Sequence, residues 1–224
     1  MGAVAADRAM TYSILSALHL AAPAKGLADT IRAGGLFSGE AAAPVRAAAN
    51  DLSAAFREAA QPVFENDLAA EHTRLFVLPS GVAPHESIYC DENTRLGGRV
   101  TEGVKRFYEH AGAELSTVCL ELPDHIGVEL EFMNFLCGVE AQLRLQAHTA
   151  GLLQCLGFQR DFLSEHLLRW YGPFCDRVLN LSNSGAYRAL ARLTAAFLEV
   201  EGSRVPGLSD ELHSKSRTVC VPVT

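Results

Sequence analysis

Asp124 and His125 stand side by side directly after Pro123, and an apolar-periodic segment follows at once. A carboxylate beside an imidazole orients the ring, accepts a guanidinium fork, or moves a proton. With Ser87 or Cys119 as nucleophile and His125 as base, the chain would be a hydrolase. Against this, a proline separates Cys119 from His125, Ser87 lacks a nucleophile elbow, and no oxyanion hole is evident. Binding is the better reading. Pro123 disfavours helix just before it and Asp124 is a good N-cap, so the stretch predicts a loop feeding a buried helix. The Asp–His pair then sits at the positive end of that helix, where a ligand or peptide is held. The plain alternative is that Asp124 is only a cap, worth ~1 kcal/mol.

A second strip, Pro84-His85-Glu86-Ser87-Ile88-Tyr89, offers a carboxylate, a hydroxyl and an aromatic ring. It suits an extended peptide held by backbone hydrogen bonds and one apolar contact, or else Ile88 and Tyr89 simply plug the loop onto the core. From Glu86 to Glu131 ten acidic residues face four basic ones, which accounts for −6 of the formal net charge of −7. Glu121 belongs to this excess, which is either a solvated face or a surface that attracts a peptide bearing paired arginines.

Other chemistries find little support. The six cysteines (90, 119, 137, 155, 175, 220) include no CxxC spacing, so no metal centre is expected. Cys137, Cys155 and Cys175 read as small buried residues, and Cys90 and Cys119 as loop thiols. His19, His72, His110 and His148 have no partner at i+4 and read as surface or core-edge residues. Asp91-Glu92-Asn93 is no calcium loop, because Arg95 and Leu96 stand where an EF-hand needs a ligand and glycine. Neither a P-loop nor a GxGxxG turn occurs, and no Lys/Arg cluster marks a nucleic-acid footprint. The N-terminus has no basic region ahead of an apolar run, and no stretch reaches the ~18 apolar residues of a membrane span. A cytoplasmic protein is expected.

The elements that must position these residues are almost wholly helical, since alternating β-branched runs are scarce. Helices are predicted at about 7–21, 44–60, 64–78, 101–111, 124–150, 158–170, 173–181 and 185–201, punctuated by turn signals that include Gly157 and Gly172-Pro173. In the helix after Pro123 apolar residues cover more than one face, which places it in the middle of a bundle. The helix at 185–201 reads as an outer one. The stretch from Pro79 to Val100 has no helical period, and a loop of that length usually marks function. The domain reading is an N-terminal helical lobe (1–112) carrying the loop 79–100, a connector (113–124), a C-terminal helical lobe (125–205) and a loosely packed tail (206–224).

The run Glu121-Leu122-Pro123-Asp124-His125-Ile126-Gly127-Val128-Glu129-Leu130-Glu131-Phe132-Met133 resembles the signature of the TorD/DmsD family of redox-enzyme maturation chaperones. An upstream block is similar to the same family: Leu75-Phe76-Val77-Leu78-Pro79, then Pro84 to Tyr89, then Gly98 and Phe107-Tyr108. Three positions depart from the family pattern: His85 replaces a common aromatic residue, Ala83 a second proline, and Leu78 a glycine. The resemblance implies an all-α bundle of two lobes and a non-enzymatic, system-specific chaperone. Such a protein binds the twin-arginine signal peptide, or the immature catalytic subunit, of a molybdenum oxidoreductase until its cofactor is inserted. The alternatives are a NarJ-like assembly chaperone whose client has no cleavable leader and, from another class, a small-molecule carrier or hydrolase. The implied peptide-binding residues are Leu75, Phe76, Pro84, Glu86, Ser87, Tyr89, Glu121, Asp124 and His125. No resident cofactor is expected; guanine nucleotide and molybdopterin enter through the resemblance alone, and no residue here places either. The expected assembly is a monomer capable of a domain-swapped dimer.

Overall fold

A computed structural model describes residues 2–34, 41–58, 64–116 and 119–218. Ten α-helices follow in order: α1 (Gly2–Leu20), α2 (Lys25–Ala33), α3 (Ala43–Glu58), α4 (Phe64–His72), α5 (Glu86–Cys90), α6 (Arg99–His110), α7 (Ile126–Leu145), α8 (Thr149–Phe162), α9 (Leu168–Leu181) and α10 (Gly185–Thr218). Single π-helical turns, Thr73–Val77 and Leu163–Leu167, end α4 and join α8 to α9. No strand occurs among the described residues, only one antiparallel bridge between His85 and His125. The protein is all-α, as its sequence predicts.

α7 is the central helix. It packs most extensively on α1 and then on α8, while α10 packs on α3, α9 and α8. Ile126, Leu130, Met133, Leu136 and Cys137 are buried along α7, the wide apolar coverage expected of a bundle centre. The core is one contiguous apolar cluster fed from both sides of the connector, from Tyr12 and Leu15 to Trp170 and Phe197. α10 is less peripheral than its charged positions suggest, because Tyr187, Leu190, Leu193, Thr194, Phe197, Leu198 and Glu201 are all buried.

A polar knot inside the bundle fixes how four helices meet. Arg8 of α1 is 2% exposed and donates from Nε to Glu201 (2.7 Å), from one terminal nitrogen to Glu140 (2.6 Å) and from the other to Gln159 (2.6 Å). Those partners stand on α10, α7 and α8. Tyr12 donates to the same Glu201 oxygen at 3.2 Å, and Arg144 pairs with Glu140 at 2.7 Å. The guanidinium fork thereby spends its donors on two buried carboxylates and a buried amide oxygen.

Several boundaries differ from the sequence expectation. The turns predicted at Gly157 and Gly172-Pro173 lie inside α8 and α9. The actual break comes earlier, where Ala147 takes a positive φ of 52° and His148 caps α8 by accepting from Gly151 N. α2 and the five-residue α5 were not predicted; each is too short for a clear helical period. The helix expected to end near 201 continues as α10 to Thr218, through Pro206 and into the tail read at 206–224, with Val205 and Ser209 buried. Buried contacts outweigh the one backbone hydrogen bond that a mid-helix proline removes. Residues 219–224, including Cys220, lie outside the described residues.

Candidate functional site

The two singled-out strips meet. Residues 84–87 lie antiparallel to 124–126: Glu86 N donates to Asp124 O (2.9 Å) and Ile126 N to Pro84 O (2.8 Å). Because side chains alternate across paired extended backbone, His85 and His125 share one face of this bridge, and Glu86 and Asp124 share the other. Tyr108 Oη donates to Pro123 O at 2.8 Å, so α6 also grips the end of the connector.

On the carboxylate face nearly everything is buried. Asp124 does not cap its own helix. Its Oδ2 accepts from Ser87 N at 3.0 Å and so caps α5, while the N-cap of α7 is His125, whose Nδ1 accepts from Gly127 N at 3.0 Å. This corrects the sequence assignment. Proline before the pair lets the chain stay extended for one residue more, which turns Asp124 toward α5. Ser87 Oγ accepts from Gly97 N (3.1 Å), in a turn where Gly97 and Gly98 take φ values of 85° and 80°. A hydroxyl so engaged and buried is not a poised nucleophile. Glu86 Oε2 contacts His166 Nδ1 at 2.9 Å. Glu129, one turn into α7, accepts from Trp170 Nε1 at 3.1 Å. Burial, and then the neighbouring Glu86 carboxylate, push the Glu129 carboxyl well above the usual range.

The imidazole face collects four histidines from four segments. The His85 and His125 rings lie 5.1 Å apart, and His125 also feels His19 and His72. His19 is 1% exposed, which corrects its reading as a surface or core-edge residue. Thr194 spends its hydroxyl proton on Leu190 O (2.9 Å), so the 3.0 Å contact requires His19 Nε2 to donate to Thr194. His19 Nδ1 then has no hydrogen-bond partner among the described residues. Burial, with His72 nearby, lowers the His19 pKa to about 3; burial and the other three imidazoles lower that of His125 to about 2. His85 and His72 are also lowered, chiefly by burial.

Of the sequence-derived binding residues, Pro84, Glu86, Ser87, Asp124 and His125 thus come together, but as buried partners of one another. Leu75 is fully buried in the core. Phe76 packs between His72 (5.2 Å) and Phe174 (6.1 Å). Tyr89 donates to Ala83 O (3.1 Å), stacks on Trp170 at 5.4 Å and carries Arg177 over its ring at 5.1 Å. Of these residues Glu121 alone, on the connector, is exposed. Cys137, Cys155 and Cys175 are buried, as expected, while Cys90 and Cys119 are half-buried.

Open surface lies next to this junction. Between α6, the connector and α7 is an open cavity of about 350 Å³, lined by Leu20, Tyr108, Leu115, Val128, Phe132 and Phe135. Glu114 and Glu131 contribute its acidic groups. Leu120 on the connector is 96% exposed, and Phe135 is 41% exposed. Sequence reasoning missed this cavity, since its walls come from four segments. It also missed Glu129, although positions 126, 129, 133, 136 and 140 follow the 3,4 spacing of one helix face and place Glu129 and Glu140 inside.

Residues 38–176 match the sequence profile of the nitrate reductase delta subunit family. The chain belongs to this family. Its relatives include the TorD-type chaperones: it is 30% identical over 149 residues to the chaperone protein TorD of Vibrio cholerae serotype O1, covering 66% of each chain. It is 32% identical over 147 residues to the selenate reductase assembly chaperone protein of Thauera selenatis (64% of this chain, 75% of the relative). With the chlorate reductase assembly chaperone protein of Ideonella dechloratans it shares 34% identity over 113 residues (50% and 57%). The chain thus spans just under two thirds of the TorD relative. These relatives are chaperones and not enzymes. The matched region contains both strips and every residue lining the cavity except Leu20. No described helix is long and apolar enough to cross a membrane.

Proposed function

We propose that the protein is an assembly chaperone for the catalytic subunit of a molybdenum reductase, and that it holds this client through its twin-arginine leader until the cofactor is in place. The observation that carries the reading is the acid-edged apolar cavity beside the family signature. A leader joins a basic pair to an apolar stretch. Phe132, Phe135 and Leu115 offer the apolar stretch a place to leave water, and Glu114, Glu121 and Glu131 attract the arginines. Glu86, Ser87, Pro84, Asp124 and His125 act from beneath by fixing the connector, and Tyr89 and Phe76 by holding the loop. In this reading the connector 113–124 is the hinge between an N-terminal and a C-terminal lobe, and the protein works in the cytoplasm.

The relatives named for selenate and chlorate reductases support a reductase client. The family's name, after a nitrate reductase subunit, favours as a second reading a client without a cleavable leader. The test is capture of the client from its native cells, then calorimetric titration with a synthetic peptide of that client's N-terminus. Phe135→Asp is expected to weaken binding at least tenfold, about 1.4 kcal/mol, with little change in melting temperature because the side chain is already part-exposed. Glu114→Lys with Glu131→Lys is expected to slow association and flatten its salt dependence. Equal affinity in all variants would remove the cavity from the site. A captured reductase whose N-terminal peptide does not bind would favour the leaderless reading.

A further inference from the structure

The junction between the 79–100 loop and the end of the connector has the makings of a device that opens. Across it run three backbone donors, Glu86 N, Ser87 N and Ile126 N. These amides stand in the first turns of α5 and α7, where helical N–H groups have no partner within their own helix, so little secondary structure must be broken to part the strips. Its two faces are chemically opposed. One side packs His85 on His125, with His19 and His72 close behind and Phe76 and Phe174 against His19. Tyr187 of α10 lies 6.1 Å from His72. The other side holds Glu86, Asp124 and Glu129, with His166 on Glu86 and Arg169 4.0 Å from it. Glu121 is the remaining charge acting on His85 and His72.

Neutral imidazoles pack in such a place, but charged ones do not. A proton on His19 or His125 brings a cation among apolar rings and other imidazoles, out of reach of water, and one on the part-buried His72 or His85 sets a charge against them. Asp124 and Glu121 pull the other way on His85, yet burial outweighs them. The relief open to the cluster is to let water in, and the contact between His85 and His125 opens when the three backbone bonds of the 84–87 bridge part.

We propose that the paired strips are an acid-released latch, in which protonation of the imidazole cluster parts the 79–100 loop from the end of the connector. When the latch opens, Asp124 loses its hold on α5, and the end of the connector next to the cavity is still held to α6 by the Tyr108 hydrogen bond. The latch does not depend on the client reading; it needs only the geometry of the junction.

The test is amide hydrogen exchange of the intact protein, corrected for intrinsic rates, between about pH 7.5 and 5.5, read at Glu86, Ser87 and Ile126 against Leu193 and Phe197 in α10. Protection at the three latch amides is expected to fall up to tenfold per pH unit for each proton taken up on opening, below about pH 6.5, while the α10 amides lose less. His125→Asn keeps a good N-cap for Gly127 N and removes one titrating ring, and His85→Gln removes a half-buried one. Each is expected to reduce the pH slope at the latch while leaving protection near pH 7.5 within threefold. Latch protection that does not change with pH, or that falls only in step with α10, would overturn the proposal. So would variants that keep the full slope.

Discussion

Arg8 gives the sharpest test of how this bundle is held. Replacing it with Met keeps most of the side-chain volume and removes the charge together with three hydrogen bonds of 2.6–2.7 Å. The two carboxylates left behind do not fare alike. Glu140 retains Arg144 at 2.7 Å and Gln159 Nε2 at 3.0 Å. Glu201 retains Tyr12 at 3.2 Å, with Arg204 no nearer than 3.7 Å, and its other oxygen already has no hydrogen-bond partner. Breaking one side of a buried ion pair costs ~3–5 kcal/mol, mostly from the stranded partner. Arg8→Met is therefore expected to lose ~3–5 kcal/mol, or roughly 10–15 °C in melting temperature for a chain of this size. Adding Glu201→Gln removes the stranded charge and is expected to restore at least ~1.5 kcal/mol of the loss. The assay is urea unfolding followed by the single tryptophan, Trp170, which is fully buried, with circular dichroism as a second probe of two-state behaviour. A loss below ~1 kcal/mol for Arg8→Met, or a double variant no more stable than the single, would refute the stranded-charge reasoning.

Other outcomes follow from the same structure. The unfolded chain binds protons on His19 and His125 from about pH 6.5 downward, whereas the folded chain resists until far lower pH. Unfolding free energy should thus be complete above that point and fall below it by up to ~1.4 kcal/mol per pH unit for each histidine; His19→Gln should remove one share of the slope in urea titrations. Glu129 has the opposite sign, since its raised pKa costs stability as pH climbs above the ordinary carboxyl value. Glu129→Gln keeps an acceptor for Trp170 and should be no less stable than the parent near neutrality, its advantage shrinking in acid; a strongly destabilised variant would contradict the upward shift of the Glu129 carboxyl. A β-carbon at Gly81 would run into the carbonyl oxygens of Leu75 and Arg74, so Gly81→Ala should cost ~1–3 kcal/mol in thermal melts, and a neutral result would mean that the turn yields easily.

Much of this molecule was legible in its residues. Scarce β-branched alternation and long apolar periods dictate an all-α bundle, and the width of the apolar surface after Pro123 marks α7 as its centre, because local periodicity depends only on residues a few positions apart. The signature strips are equally plain as sequence, since proline, aspartate and glycine act on their own backbone. Their partners are another matter. That Asp124 caps α5 and leaves α7 to His125, and that Arg8 ends between Glu140 and Glu201, each join segments far apart in the chain. No spacing rule reaches that far. Glycine and proline at 157, 172, 173 and 206 read as breaks because their local cost is real, yet burial of whole helices overrides it. The acidic excess between Glu86 and Glu131 was visible in composition, but only the packing divides it into carboxylates sealed inside, Glu86, Asp124 and Glu129, and those left facing water, Glu114, Glu121 and Glu131. Burial is a property of the whole bundle, and it decides whether a carboxylate supports the site or meets a partner.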